Sequence, residues 1–183
     1  MSRLHRVIGV CDAINERVGR FIAWFTAAMV AVTLAVVIMR YGFEFGRIWM
    51  QEIVMYLHAA VFMLGAAYTL QHRGHVRVDI FYQNFSERRK ALVDFCGTLL
   101  LLMPVALFIL VWSAGFVAKS WIRLEESPET GGLPLVFVLK TFIPLMAVLL
   151  IVQGIAELAR NGLVLTGRDP GPRPHDDSDD PEV

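Results

Sequence analysis

The sequence predicts an all-α integral membrane protein with four transmembrane helices, and three observations lead to this class. Of the 183 residues, 56% are hydrophobic and only 19% are charged, and the mean hydropathy is +0.54, a balance far from that of soluble globular proteins. Four apolar stretches each approach the roughly 20 residues that a helix needs to cross a bilayer core. Helices are expected because backbone groups in hydrocarbon must bond to one another, and the many alternating segments of a closed barrel are absent.

The four predicted spans lie in a membrane domain that we place at residues 21–165. The first has the sequence FIAWFTAAMVAVTLAVVIM, and the second begins directly after Glu52. Pro104 and Pro144 lie within the third and fourth spans, where each is expected to bend its helix. The spans run over residues 21–39, 53–70, about 95–118 and about 133–156.

Residues 1–20 are predicted to form an amphipathic helix on the cytoplasmic membrane surface. Arginines lie among apolar residues that recur at helical spacing, a pattern typical of helices at the membrane interface. These apolar residues are Leu4, Val7, Ile8, Cys11, Ile14 and Val18. The sequence leaves open a second interpretation, in which the first span simply continues into water. A cleaved signal peptide fits poorly, because the apolar run is longer than a signal core and no small-residue cleavage pattern follows it.

The distribution of lysine and arginine predicts that both termini are cytoplasmic. With the N-terminus inside, twelve of these residues fall in cytoplasmic segments and four in the outer part of the chain, as the positive-inside rule requires. The four outer residues are Arg40, Arg47, Lys119 and Arg123. Residues 166–183 are acidic with little apolar content, so we expect a disordered cytoplasmic tail.

The stretch HRGHVRVDIF, residues 72–81, gathers polar side chains between the second and third spans. On a helix, His72, His75 and Asp79 would share one face, as metal ligands do. Gly74 interrupts such a helix, the residues after it alternate with a period of two, and two arginines would repel a divalent cation. We therefore interpret the stretch as a cytoplasmic turn in which Gly74 lets the chain leave the bilayer and Asp79 caps a short helix.

No cofactor is predicted for this chain. A haem between transmembrane helices needs paired histidines, and within the predicted spans the sequence offers His58 alone. Cys11 and Cys96 have no second ligand at the spacing of a zinc site. The charge distribution also gives no indication of nucleic acid as a partner.

Ionisable residues near the span ends are candidate structural contacts, because burying charge in a membrane is costly. Glu52 and Lys140 lie in the same outer half of the predicted topology and could form an ion pair between helices. Lys140 could instead reach a loop carboxylate, for which Glu125, Glu126 and Glu129 are the candidates. No carboxylate lies in the middle of the first span, which argues against transport by this chain alone.

Small residues in the spans indicate that another helix packs against them. Ala27 and Ala31 belong to a stripe with one alanine every four residues, and Gly65 and Thr69 repeat this spacing in the second span. Such spacing lets two helix backbones approach closely in lipid.

Three segments together resemble the small membrane subunit, or DctQ-like component, of tripartite ATP-independent periplasmic (TRAP) transporters. The segment WMQEIVMYLHAAVFMLGAAYTLQHRGHVRVDIFY resembles that family's second helix, with its opening Glu52, its Gly65 and the following Gly-His-Val-x-Val-Asp turn. FSERRKALVDF resembles the basic turn into the third helix, and SPETGGLPLVFVLKTFIPLMAVLLIVQGI resembles the last loop and helix. The resemblance covers about residues 21–165.

The resemblance implies a non-catalytic scaffold subunit in a bacterial inner membrane, and not an enzyme. Its expected partners are a large membrane subunit that holds the substrate and sodium sites, a periplasmic protein that delivers an organic acid, and membrane lipids. It also implies that His75 to Asp79 contacts the large subunit, whereas His58 could face that subunit or pack within this chain. The alternative function is a membrane anchor for a redox or enzyme complex, which paired intramembrane histidines would have favoured.

Overall fold

The computed structural model describes residues 3–72, 74 and 85–170, and their regular structure is entirely helical. A short π-helical turn, Thr98–Leu102, joins the third and fourth helices without a break. The α-helices are α1 Arg3–Gly42, α2 Ile48–Gln71, α3 Glu87–Gly97, α4 Met103–Arg123 and α5 Val136–Leu165. Counting α3, the π turn and α4 as one, four helices of the described chain are long and apolar enough to cross a membrane. The predicted class, all-α with four spans, is confirmed.

The first helix extends well beyond the predicted first span. Its 40 residues correspond to about 60 Å at a rise of about 1.5 Å per residue, twice the thickness of a bilayer core. The boundary that we predicted at residue 20 is not a helix end, because α1 continues through it. A surface position for the first 20 residues stays a prediction.

The sequence prediction did not specify which face of α1 packs inside the chain. Leu4, Val7 and Ile14, which belong to the apolar side predicted to face the membrane, are exposed. The buried positions recur at helical spacing along a mixed face, and they are Ile8, Asp12, Asn15, Gly19 and Ile22. Polar side chains take this face because partners for them lie on the neighbouring helices.

Helix α5 lies at the centre of the arrangement. It packs against α1 and α2, which also contact each other, and against the continuous third helix formed by α3, the π turn and α4. Small residues fill the contacts, so the backbones approach closely. The buried alanines are Ala60, Ala67, Ala91, Ala106, Ala147 and Ala156. At Gly19 the approach is closest, since an added Cβ would overlap the ring of Tyr68.

Contacts between the ends of neighbouring helices define two opposite ends of the helix arrangement in the described chain. At one end, which we call the loop end, α2 begins near Glu52, and Glu52 bonds to the loop of residues 124–135 between α4 and α5. At the other, which we call the terminal end, the start of α1 meets the end of α5 through Asp12 and Arg160, and His5 bonds to the backbone of Asp169. The structure thus groups segments as the predicted topology does; the cytoplasmic location of the terminal end stays a prediction.

The π turn precedes a proline in the third helix. Proline has no N–H, and its ring crowds the carbonyl four residues earlier. The turn before Pro104 is widened, and the amide of Met103 bonds to the carbonyl of Thr98 five residues back. Such π turns relieve local strain within an α-helix, and the helix continues past the proline without interruption.

Candidate functional site: polar contacts at both ends of the helices

At the loop end, Glu52 fastens the loop between α4 and α5. One carboxylate oxygen, Oε1, accepts a short hydrogen bond from the Ser127 hydroxyl, and Oε2 accepts one from the Leu133 amide at 2.5 Å. The Ser127 amide donates in turn to the Leu133 carbonyl at 3.2 Å, which closes the loop on itself. A Cβ added to Gly132 would lie 2.8 Å from Glu52 Oε1, so this close approach needs glycine. Glu52 therefore acts as a clasp between α2 and the loop.

Lys140 bonds to the same loop but not to Glu52. Its Nζ lies 2.5 Å from Glu125 Oε2, which also accepts a hydrogen bond from the Ser120 hydroxyl at 2.7 Å. The Lys140 ammonium lies 4.1 Å from the centre of the Phe116 ring, within range of a cation–π contact. The hydrogen bonds from Lys140 and, next, from Ser120 lower the pKa of Glu125 from its ordinary value of 4.5. The ion pair between Glu52 and Lys140 that we considered is wrong, and the alternative loop carboxylate is the partner.

At the terminal end, five buried polar side chains join three helices in what we call the polar cluster. Arg160 of α5 and Asp12 of α1 form an ion pair at 2.5 Å with both residues buried. Gln153 Nε2 also donates to Asp12 at 3.3 Å, and its Oε1 accepts from Asn15 Nδ2 at 2.8 Å. Gln71 at the end of α2 donates to the backbone carbonyl of Asp12 at 3.2 Å. Each of these groups would be costly to bury alone, so the cluster fixes α1, α2 and α5 relative to one another.

A second ionic contact lies beside the polar cluster. Glu16 of α1 lies 3.3 Å from His72 Nε2 and 3.1 Å from Arg20 Nε, one turn along the same helix. The His72 ring packs on Tyr68 with ring centres 4.1 Å apart. His72, which we had considered as a metal ligand, therefore contacts a carboxylate and an aromatic ring. No group of three or more His, Cys, Asp and Glu side chains in the described chain could hold a metal ion.

The remaining predicted contact residues lie on the outside of this chain or beyond its described part. His58, Ala27 and Ala31 are exposed, and His58 stacks on Phe62, which is 74% exposed. His58 therefore does not pack in the interior of this chain.

The turn after α2 is described at Gly74. Its amide donates to the Thr69 carbonyl at 2.8 Å, a bond from residue i to residue i−5 of the kind that closes helix C-termini. His75 and Asp79 lie outside the described residues, so the predicted turn and cap there stay predictions.

The exposed predicted residues lie close, along the sequence, to residues that line a groove on the α1–α2 pair. A groove of about 530 Å³ lies between these helices. Ala23 lines one wall, and Ala27 and Ala31 continue that wall at four-residue spacing. Phe62 lines the other wall, and His58 lies one turn before it. Because α1 and α2 run in opposite directions, Ala27 and Ala31 lie closer to the loop end than Ala23 does, and His58 lies closer to it than Phe62.

The polar cluster was not predicted from the sequence, although a signal for it was present. Asp12, Asn15 and Gly19 recur at intervals of three and four residues in α1, which places them on one helix face. The prediction for this segment rested on its apolar residues, which an amphipathic helix turns toward the membrane. Arg160 had been counted only as a cytoplasmic charge, and Gln71 lay beyond the predicted second span.

The fold and the contacts define the class of the protein. It is a helical protein with four candidate membrane spans, and several of its buried polar groups bond to one another. Residues 29–162 match the family described as tripartite ATP-independent periplasmic transporters, DctQ component. Because the match covers most of the chain, the chain belongs to this family. It is a TRAP transporter small permease component, a multi-pass protein of the inner membrane and not an enzyme.

A curated relative agrees with the family match. The C4-dicarboxylate TRAP transporter small permease protein DctQ of Vibrio cholerae serotype O1 is 26% identical over 131 residues, which cover 69% of this chain and 55% of the relative. The chain thus spans about half the length of that relative. No solved structure matches the chain.

Proposed function

We propose that this chain is the scaffold of a TRAP transporter, and that it holds a large membrane subunit in place during sodium-driven uptake of an organic acid. The observation that carries the proposal is where the polar and apolar side chains of this chain lie. The Asp12–Arg160 pair and the Lys140–Glu125 pair are bonded within the chain, whereas large apolar side chains cover its exterior. A chain built in this way has few free polar groups with which to move a solute, and much surface on which to hold a second protein.

The groove between α1 and α2 is the proposed contact with the large subunit. Small residues on α1 and the exposed His58 on α2 support this choice, since small residues allow close helix packing and a histidine facing lipid would be costly. A neighbouring helix seated there would cover both features. We propose in addition that His75 and Asp79 contact the large subunit on its cytoplasmic side.

The proposed substrate class is carboxylates delivered by a periplasmic binding protein. The name of the Vibrio cholerae relative specifies C4-dicarboxylates, so these are the first substrates to test. The experiment reconstitutes the large subunit and the binding protein in proteoliposomes with this chain or without it. Sodium-dependent uptake of labelled dicarboxylate is expected only with all three components, and it should be abolished when the sodium gradient is removed.

Two results would contradict the proposal. Full uptake without this chain would show that it is not needed as a scaffold. Uptake by this chain alone would show that it carries substrate itself. The alternative of a membrane anchor for a redox complex has no observation in its favour among the described residues.

A further inference from the structure

A charged cavity lies between α4 and α5 at the loop end. Its volume is about 360 Å³, and it opens beside the last turn of α4. Its lining residues are Phe116, Lys119, Ser120, Arg123, Glu125 and Lys140. Nothing in the scaffold function requires such a cavity.

Positive charge is in excess in this cavity. Three basic side chains face one carboxylate, that of Glu125, which is already bonded to Lys140 and Ser120. Lys119 and Arg123 are four residues apart, so they lie on the same face of α4. Neither forms an ion pair within the described part of the chain. The cavity lining therefore has a net excess of two positive charges, and Arg123 also interacts with Glu125 through their opposite charges.

The walls of the cavity are fixed by contacts between the two helices. The Trp121 indole donates to the Thr141 hydroxyl at 2.9 Å, and its ring packs edge-on against Phe137 with centres 4.7 Å apart. Leu124 ends α4 in a left-handed conformation, with φ of 46°, and directs the chain so that Glu125 reaches Lys140. Because these contacts hold the cavity walls in place, the side chains of the cavity lose little conformational freedom when an anion binds.

The position of the cavity indicates which anion it binds. It lies where an apolar helix ends, and the neighbouring Trp121 and Ile122 are 47% and 83% exposed, as expected at the level of lipid headgroups. Arginine binds phosphate oxygens with its planar fork and lysine as a point charge. We propose that this cavity binds the phosphate of an anionic phospholipid, with Lys119 and Arg123 as its ligands and the Lys140–Glu125 pair as its floor.

The test measures lipid binding to the full-length chain in a non-ionic detergent. Native mass spectrometry compares the binding of phosphatidylglycerol with that of phosphatidylcholine. The double variant Lys119→Gln/Arg123→Gln is expected to weaken phosphatidylglycerol binding about thirtyfold, from the loss of two charges at the headgroup. Both residues are exposed, so the variant should fold, and an unchanged unfolding temperature in phosphatidylcholine will verify this.

A matched control removes the same charge at the same end of the molecule. The double variant Arg40→Gln/Arg47→Gln neutralises the other two basic residues of the predicted outer side, both away from the cavity, and less than a twofold change is expected. Equal weakening in both double variants would indicate general surface attraction and overturn the proposal, as would no weakening in either. If inorganic phosphate binds the wild-type chain as tightly as the lipid, and the cavity variant loses it, the site takes free phosphate and the lipid assignment is wrong.

Discussion

At the scale of single residues, the buried pair of Asp12 and Arg160 carries the greatest consequence. The desolvation of two charges is costly, and it is offset here by their short mutual contact and by the hydrogen bond that Gln153 donates to the Asp12 carboxylate. Removing one partner leaves the other charge buried without compensation. The cluster is therefore more sensitive to single substitutions than to the replacement of both charges.

A double-mutant cycle tests this sensitivity. Asp12→Ala and Arg160→Met are each expected to lower the free energy of unfolding by about 3–5 kcal/mol, and the double variant by clearly less than the sum. The measurement is denaturant unfolding in mixed micelles, followed by circular dichroism. Arg17→Ala is the control, because Arg17 is exposed, and it should change stability by less than about 0.5 kcal/mol. Additive losses in the double variant would show that the two residues are not coupled.

At the scale of elements, the sequence predicted the existence of the helices but not their full length. The predicted span of residues 53–70 lies inside Ile48–Gln71, and that of 95–118 lies inside the continuous helix Glu87–Arg123. An apolar run in the sequence marks only the part of a helix that lies in hydrocarbon. Where the helix continues into water, its residues are polar or charged, so hydropathy does not show that it continues. The partners of Glu52 and Lys140 could not be chosen either, because that choice depends on the path of the loop, where Gly131 adopts a φ of 82°.

The clasp between α2 and this loop gives a prediction at the same scale. Glu52→Gln keeps one acceptor oxygen but places an NH₂ group toward a donor, so one of the two hydrogen bonds is lost. We expect a loss of about 1–3 kcal/mol in the free energy of unfolding and faster protease cleavage within residues 124–135. Limited proteolysis with mapping of the cleavage sites will measure the second effect. Glu126→Gln is the matched control, an exposed carboxylate of the same loop, and equal cleavage in both variants would contradict the clasp.

At the scale of the whole molecule, the chain resembles a rigid frame more than a carrier. Its polar groups tie α1, α2 and α5 together at the terminal end and α2, α4 and α5 at the loop end, through the polar cluster and the loop contacts. Composition predicts an apolar exterior, as any membrane protein has where it faces lipid. A surface that faces a partner helix is equally apolar, so composition alone does not distinguish the two. The groove between α1 and α2 became visible only when the fold brought Ala23 and Phe62 to opposite walls.

Co-purification is the direct test of our proposal that a large membrane subunit binds this groove. The tagged chain is expressed with the large TRAP subunit and recovered in mild detergent, together with Ala27→Leu/Ala31→Leu. As control, Ala114→Leu/Ala118→Leu adds the same bulk at the same spacing to two exposed positions of α4, which packs on α5. We expect recovery of the large subunit with the wild type and the control, and at least about tenfold less with the groove variant, because the added side chains prevent close helix approach. Failure of the wild-type chain to recover any large subunit, or undiminished recovery by the groove variant, would contradict the proposed contact.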